Sequence, residues 1–256
     1  DFMDRRGGGI PMQPASSLGS GFVIDAVNGY IVTNNHVVRN AENVQVTFPN
    51  ELTVEAQIIG TDEKTDIAVL KIKVTDLEIA SVKFGDSDAI RVGDWTMAIG
   101  NPFGLGGTVT TGILSARARD IDTGPYDDYL QTDASINRGN SGGPLFNMNG
   151  EVIGINTAIF SPTGGSVGIG FAIPSALAKP VINQIIKYGR TRRGWLGVRI
   201  QTVTDEIAES LGLGAPRGAL VASVNDKGPA KAAGLEPGDI ILSINGQNIK
   251  EMKNLP

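Results

Sequence analysis

Gly139-Asn140-Ser141-Gly142-Gly143-Pro144 sets one hydroxyl among three glycines, and the reading of this stretch decides the fold. Glycine carries no Cβ, so the chain around Ser141 can take tight, partly positive-φ conformations in which successive N–H groups converge on one point. Such a turn can hold an oxyanion beside a nucleophile. The same six residues are all turn formers, and by themselves they equally suit a plain loop.

A serine hydroxyl is a weak nucleophile at neutral pH and needs a positioned base. His36 is the sole histidine of 256 residues, so a catalytic Ser141 has to be served by it. A carboxylate must then orient the ring. Asp66 opens the apolar, strand-like run Asp66-Ile67-Ala68-Val69-Leu70-Lys71-Ile72, which sets its carboxylate at the edge of a core. Asp62 is the nearest rival, but it falls inside the polar turn Gly60-Thr61-Asp62-Glu63-Lys64-Thr65.

Chain order separates the known arrangements of such a triad. The glycines satisfy the G-x-S-x-G pattern of α/β-hydrolases, yet those enzymes place histidine after serine. The subtilisin order requires an aspartate before His36, and Asp1, Asp4 and Asp25 are the only ones available, none of them opening a buried strand. His36, Asp66, Ser141 is the chymotrypsin order, which demands a fold of many short strands. Strand signals recur at residues 21–25, 30–34, 44–48, 54–60 and 67–74. A second series follows at 96–99, 110–116, 129–132, 145–148, 151–159 and 168–173. Turn pairs such as Asn28-Gly29, Pro49-Asn50 and Asn149-Gly150 separate them. His36 and Asp66 then come from one barrel and Ser141 from the other, with the site in the cleft between.

Thr33-Asn34-Asn35-His36-Val37-Val38, Asp66-Ile67-Ala68-Val69-Leu70 and the run from Gln131 through Ser141 to Leu145 resemble the HtrA (Deg) family, as does Gly165-Ser166-Val167-Gly168-Ile169-Gly170-Phe171-Ala172-Ile173-Pro174. The likeness runs from about Ser17 to the C-terminus and is strongest to the bacterial periplasmic members. It implies a mostly β protein with a chymotrypsin-like double six-stranded β-barrel followed by a PDZ domain. It further implies an ATP-independent serine endopeptidase that degrades misfolded or unfolded proteins in the cell envelope, with holding activity for unfolded chains as the alternative. An esterase would use the same chemistry. Backbone N–H groups of Gly139 and Ser141, with Asn140 shaping the turn, match the oxyanion hole. Ile136, Ile159 and Ile169 match the walls of the S1 pocket, and Ser135 lies where trypsin-like enzymes carry an aspartate, which implies small aliphatic P1 side chains. The family also implies a homotrimer that can build into larger cages and a periplasmic location.

Residues 1–16, with Gly7-Gly8-Gly9 and two prolines, read as an N-terminal arm, and 17–189 as the protease domain. Pro174 opens an amphipathic helix over 175–188 that Gly189 should end. Arg190, Arg192 and Arg193 make the one dense basic cluster, read as a solvated linker over 190–194. Residues 195–256 resemble a partial PDZ domain in which Trp195-Leu196-Gly197-Val198 matches the carboxylate-binding loop for hydrophobic C-terminal peptides. This unit stops at Pro256, before the family's closing helix and strand, so weak peptide binding is expected of it.

Composition fits that reading. The 34 glycines and only 5% aromatics suit a turn-rich β protein. A net charge of −5 with interspersed signs argues against nucleic acid as the main partner. Zero cysteines exclude disulfides and thiolate metal sites, and one histidine excludes a multi-histidine metal site, so no metal or other cofactor is called for. There is no Walker A pattern, and no apolar run nears the roughly 20 residues needed to cross a bilayer. The N-terminus shows no signal-peptide pattern, and the start at Asp1 is read as that of a mature or trimmed form.

Overall fold

The uninterrupted apolar run Ile67-Ala68-Val69-Leu70 lies in a strand buried on both faces. Strand β5 (Ile67–Ile72) sends Ile67 and Val69 into one core cluster and Ala68, Leu70 and Ile72 into another. Its neighbour β2 (Tyr30–Asn34) divides in the same way, Val32 to the first cluster and Ile31 to the second. Each fully buried valine, leucine or isoleucine among them contributes about 1.5–3 kcal/mol. The computed structural model describes residues 17–75, 78–101, 106–121, 124, 126–161, 165–249 and 252. The arm at 1–16 lies outside the described residues, as does most of 250–256.

With β1 (Phe22–Asp25), β3 (Val44–Thr47) and β4 (Thr53–Asp62), these strands form an antiparallel sheet in the order β1-β2-β5-β4-β3. A closed six-stranded barrel follows, built from β6 (Trp95–Gly100), β7 (Thr108–Arg119), β8 (Tyr129–Thr132), β9 (Pro144–Phe146), β10 (Val152–Ile159) and β11 (Gly170–Pro174), in the order β10-β11-β8-β7-β6-β9. The barrel matches the expected six strands. The first sheet has five among the described residues, because the segment in the sixth place joins the two units instead of laddering. Val82 N–H donates to the Val23 carbonyl at 2.9 Å, Phe84 bridges to Val152, and both side chains pack against the core that the units share.

Helix α2 (Ser175–Tyr188) closes that shared core. Its Ala178, Val181, Ile182 and Ile185 cluster with Val32, Ile67 and Val69 of the first sheet and with Phe146, Val152, Ile155 and Ile173 of the barrel. Gly189 ends the helix as expected, at φ 70 with its N–H donating to the Ile185 carbonyl at 2.7 Å.

The basic residues that follow depart from the expectation of a solvated linker. Arg193 places two guanidinium nitrogens on the Asp62 carboxylate, and Thr191 donates to the same carboxylate at 2.8 Å. The Arg192 guanidinium lies 3.9 Å above the Tyr188 ring. Charge density along the chain carries no sign that a carboxylate at the end of β4 needs a partner.

The C-terminal unit has a three-stranded sheet of β12 (Val198–Thr202), β13 (Ala219–Val224) and β14 (Ile240–Ile241). Short helices α3 (Asp205–Ser210) and α4 (Pro229–Ala232) flank it. Thr204 caps α3 by accepting the Ile207 N–H at 3.3 Å. Asn245 (φ 50) and Gly246 (φ 80) turn the hairpin between β15 (Ser243–Ile244) and β16 (Gln247–Asn248), as a two-residue loop with both central φ positive requires.

Candidate active site

His36 stands on a single helical turn, α1 (Asn35–Val38), directly after β2, and this turn is fastened to Asp66. The Asp66 carbonyl accepts from Asn34 Nδ2 at 2.9 Å and from the Asn35 N–H at 3.0 Å. Its carboxylate accepts the His36 backbone N–H on Oδ1 at 2.9 Å and contacts His36 Nδ1 through Oδ2 at 2.6 Å. A carboxylate only accepts, so Nδ1 carries a proton and Nε2 of a neutral ring is left as the lone-pair nitrogen. Asp66 adopts φ 54, a left-handed conformation that aspartate tolerates better than most residues.

Asp62, the rival carboxylate, has a different task. It is only 5% exposed and is held by Arg193, Thr191 and Thr65. Burial pushes its pKa up, but the hydrogen bonds from Arg193, Thr65 and Thr191 outweigh that and lower it to about 2.

Ser141 lies in the turn before β9. Its hydroxyl donates to the Thr157 carbonyl at 3.3 Å, and its own carbonyl accepts the Ser20 N–H at 2.8 Å. Thr157, on β10, also donates its hydroxyl to Asp66 Oδ2 at 2.7 Å, so one residue touches both Ser141 and Asp66. Sequence reading missed Thr157, because a threonine inside a β-strand run is ordinary strand composition. Among the described residues no hydrogen bond links Ser141 Oγ to the His36 ring; the serine hydroxyl rests on Thr157.

The glycines after Ser141 are demanded by space. A Cβ on Gly142 (φ 85) would lie 2.3 Å from the Ser20 carbonyl and from Thr33 Oγ1, and one on Gly143 would lie 2.3 Å from the Ile99 carbonyl. Gly139 has φ 102. Neither its N–H nor that of Ser141 has an acceptor among the described residues, whereas the Asn140 N–H donates to Asn137 at 3.1 Å and the Gly142 N–H to Asn156 at 2.8 Å. Asn140 is buried, and its Nδ2 donates to the Ser135 carbonyl at 3.3 Å.

Ile136, 1% exposed, belongs to the barrel core with Ile159 packed against that cluster. Ile169 is half-buried, and its carbonyl accepts the Phe160 N–H at 3.1 Å, next to Ile159. Trp195, Leu196, Gly197 and Val198 gather elsewhere, against the start of α4. The Leu196 carbonyl accepts the Ala230 N–H at 2.9 Å, the Gly197 carbonyl accepts the Asn225 N–H at 2.8 Å, and Trp195 is 62% exposed. Among the described residues no three histidine, cysteine, aspartate or glutamate side chains converge as metal ligands would.

Residues 19–155 match the family described as trypsin-like peptidase domain, and 184–255 match the PDZ domain. The chain is 57% identical over 237 residues to a probable periplasmic serine endoprotease DegP-like from Brucella suis biovar 1 (strain 1330), covering 93% of this chain and 46% of that protein. It is 50% identical over 266 residues to a protein of the same description from Pseudomonas putida (strain W619), covering 100% of this chain and 54% of the other. The chain therefore spans about half the length of the curated relatives it matches. Among solved structures, the HtrA-type protease AlgW with tripeptide is 52% identical with a TM-score of 0.83, over 91% of this chain and 76% of that one. The serine endoprotease from Yersinia pestis is 41% identical with a TM-score of 0.71, over 94% and 78%. A trypsin-like unit followed by a PDZ unit, alike in sequence and in shape to these solved enzymes, means that the chain belongs to the HtrA family of serine proteases.

Proposed function

We propose that this chain is a serine endopeptidase acting on unfolded or misfolded polypeptides in the bacterial periplasm, with His36, Asp66 and Ser141 as its catalytic triad. The observation that carries the reading is the Asp66 carboxylate, which fixes both the backbone and the Nδ1 side of His36 while Thr157 joins it to Ser141. In this mechanism His36 Nε2 takes the Ser141 proton as Oγ attacks the peptide carbonyl, and the imidazolium is stabilised by Asp66. The same proton passes to the departing amine, and water then releases the acyl group by the reverse sequence of transfers. The N–H groups of Gly139 and Ser141, both without an acceptor among the described residues, would receive the oxyanion, with Asn140 shaping the turn. Ile136, Ile159 and Ile169 favour small aliphatic P1 side chains. The names of the Brucella and Pseudomonas relatives support the periplasmic setting. The division we adopt is a protease unit over 17–189, a linker over 190–194 and a PDZ unit from 195, where hydrophobic C-terminal peptides would bind, and the assembly is a homotrimer.

Hydrolysis of a denatured protein is the test. Wild type should cut it, chiefly after valine, isoleucine or alanine, and Ser141→Ala should lose nearly all of that activity with its fold intact. Undiminished cleavage by Ser141→Ala would refute the assignment.

A further inference from the structure

Gly139 can adopt positive or negative φ at similar cost, so its own sequence does not decide where its N–H points. Something outside the turn has to impose the orientation. The peptide group that follows it, between Gly139 and Asn140, is pinned on both sides: its N–H donates to Asn137 at 3.1 Å, and its carbonyl accepts the Ser20 hydroxyl at 2.6 Å. That hydroxyl in turn accepts the Asn101 N–H, at the end of β6, at 2.8 Å. The Ser20 backbone continues the attachment, its N–H on the Ser141 carbonyl at 2.8 Å and its carbonyl accepting Thr33 Oγ1 at 2.7 Å. One residue, 119 positions away in sequence from Gly139, thus grips the nucleophile turn on either side of Asn140 and ties it to both β units.

We infer that Ser20 is the positioning residue of the oxyanion-binding turn: its hydroxyl, donating to Gly139 and accepting from Asn101, holds the Gly139 N–H toward the reacting carbonyl. The inference rests on the triad reading given under the proposed function. Ser20 touches no reacting atom in this scheme and acts through Gly139. Alanine at position 20 keeps the backbone bonds to Ser141 and Thr33 and removes both hydroxyl bonds, leaving the Gly139–Asn140 peptide held only by the Asn140 N–H on the Asn137 carbonyl.

The test compares wild type, Ser20→Ala, Ser20→Cys and Ser141→Ala on a peptide substrate and on a peptide aldehyde, whose hemiacetal with Ser141 places an oxyanion in the turn. Losing one oxyanion donor typically costs about 10²–10³ in kcat, and a misdirected donor should cost about 10- to 100-fold. Ser20→Ala should therefore lower kcat by that factor with KM within about twofold, and weaken the aldehyde in parallel while the thermal midpoint stays near wild type. Ser20→Cys keeps the volume but is a poor donor and acceptor, and it gives the same readout should alanine unfold the protein. A kcat within twofold of wild type in either folded variant overturns the inference, as does an equal loss of aldehyde and ground-state product binding. If wild type is inactive, or Ser141→Ala is active, the triad reading fails instead, so the two failures are told apart.

Discussion

Asp66 accepts five hydrogen bonds through its three oxygens, from Asn34, Asn35, the His36 backbone, the His36 ring and Thr157. Replacing it by asparagine keeps the shape and swaps a carboxylate oxygen for an amide donor facing the ring, which should favour the wrong histidine tautomer and lower kcat by about 10⁴. Thr157→Val is the finer probe, since it removes only the hydroxyl bond to Asp66 Oδ2. A fall of about tenfold in kcat with KM nearly unchanged is expected, the size of one charge-assisted hydrogen bond lost from an orienting group. Unchanged kcat would mean that the His36 contacts alone hold the carboxylate. Of the residues around this site, His36, Asp66 and Ser141 could be proposed from sequence because each belongs to a chemically scarce type or a revealing position. Thr157 and Ser20 stayed hidden, since their part depends on which distant carbonyl or carboxylate their hydroxyls meet, and no local pattern encodes that.

At the scale of elements, β5 was readable because burial of both faces leaves an unbroken apolar run, and α2 because its apolar spacing is bounded by Pro174 and Gly189. The segment joining the two units was not, since a stretch that bonds once to β1 and pairs with β10 only at Val152 carries no periodic signature. The attachment of Arg193 to the end of β4 was likewise invisible, because basic composition says nothing about a buried partner. That attachment has a pH signature. The Asp62 carboxyl is lowered to about 2 in the folded protein, so its stabilisation is complete above the ordinary carboxylate value and is lost as pH falls through about 2. Roughly 2 kcal/mol should disappear between about pH 4 and pH 2. Denaturant titrations across that window should show the loss in wild type and a flatter curve in Asp62→Asn, which is already weaker at neutral pH because Arg193 is left without its partner. A wild-type slope identical to that of Asp62→Asn would contradict this account.

The molecule as a whole is unevenly secured. Among the described residues the trypsin-like unit holds three clusters of buried apolar residues, whereas the C-terminal unit gathers Val203, Ala208 and Leu220 into one. Amide exchange should accordingly be fastest in β12–β14 and slowest in β5 and β10, and equal protection of the two units would contradict the difference in core. Light scattering at three times the 26.8 kDa chain mass would support the proposed trimer. The shared core also has a place in time. Ala178, Val181, Ile182 and Ile185, which seal the first sheet against the barrel, come later in the chain than His36, Asp66 and Ser141. A chain still being synthesised and ending near residue 160 would hold every group of the proposed triad but not the helix that locks their two frameworks together. The power to cut would then arrive only after α2 has reached the compartment where the chain folds, and a half-delivered protease would be harmless to itself and to the chains emerging beside it.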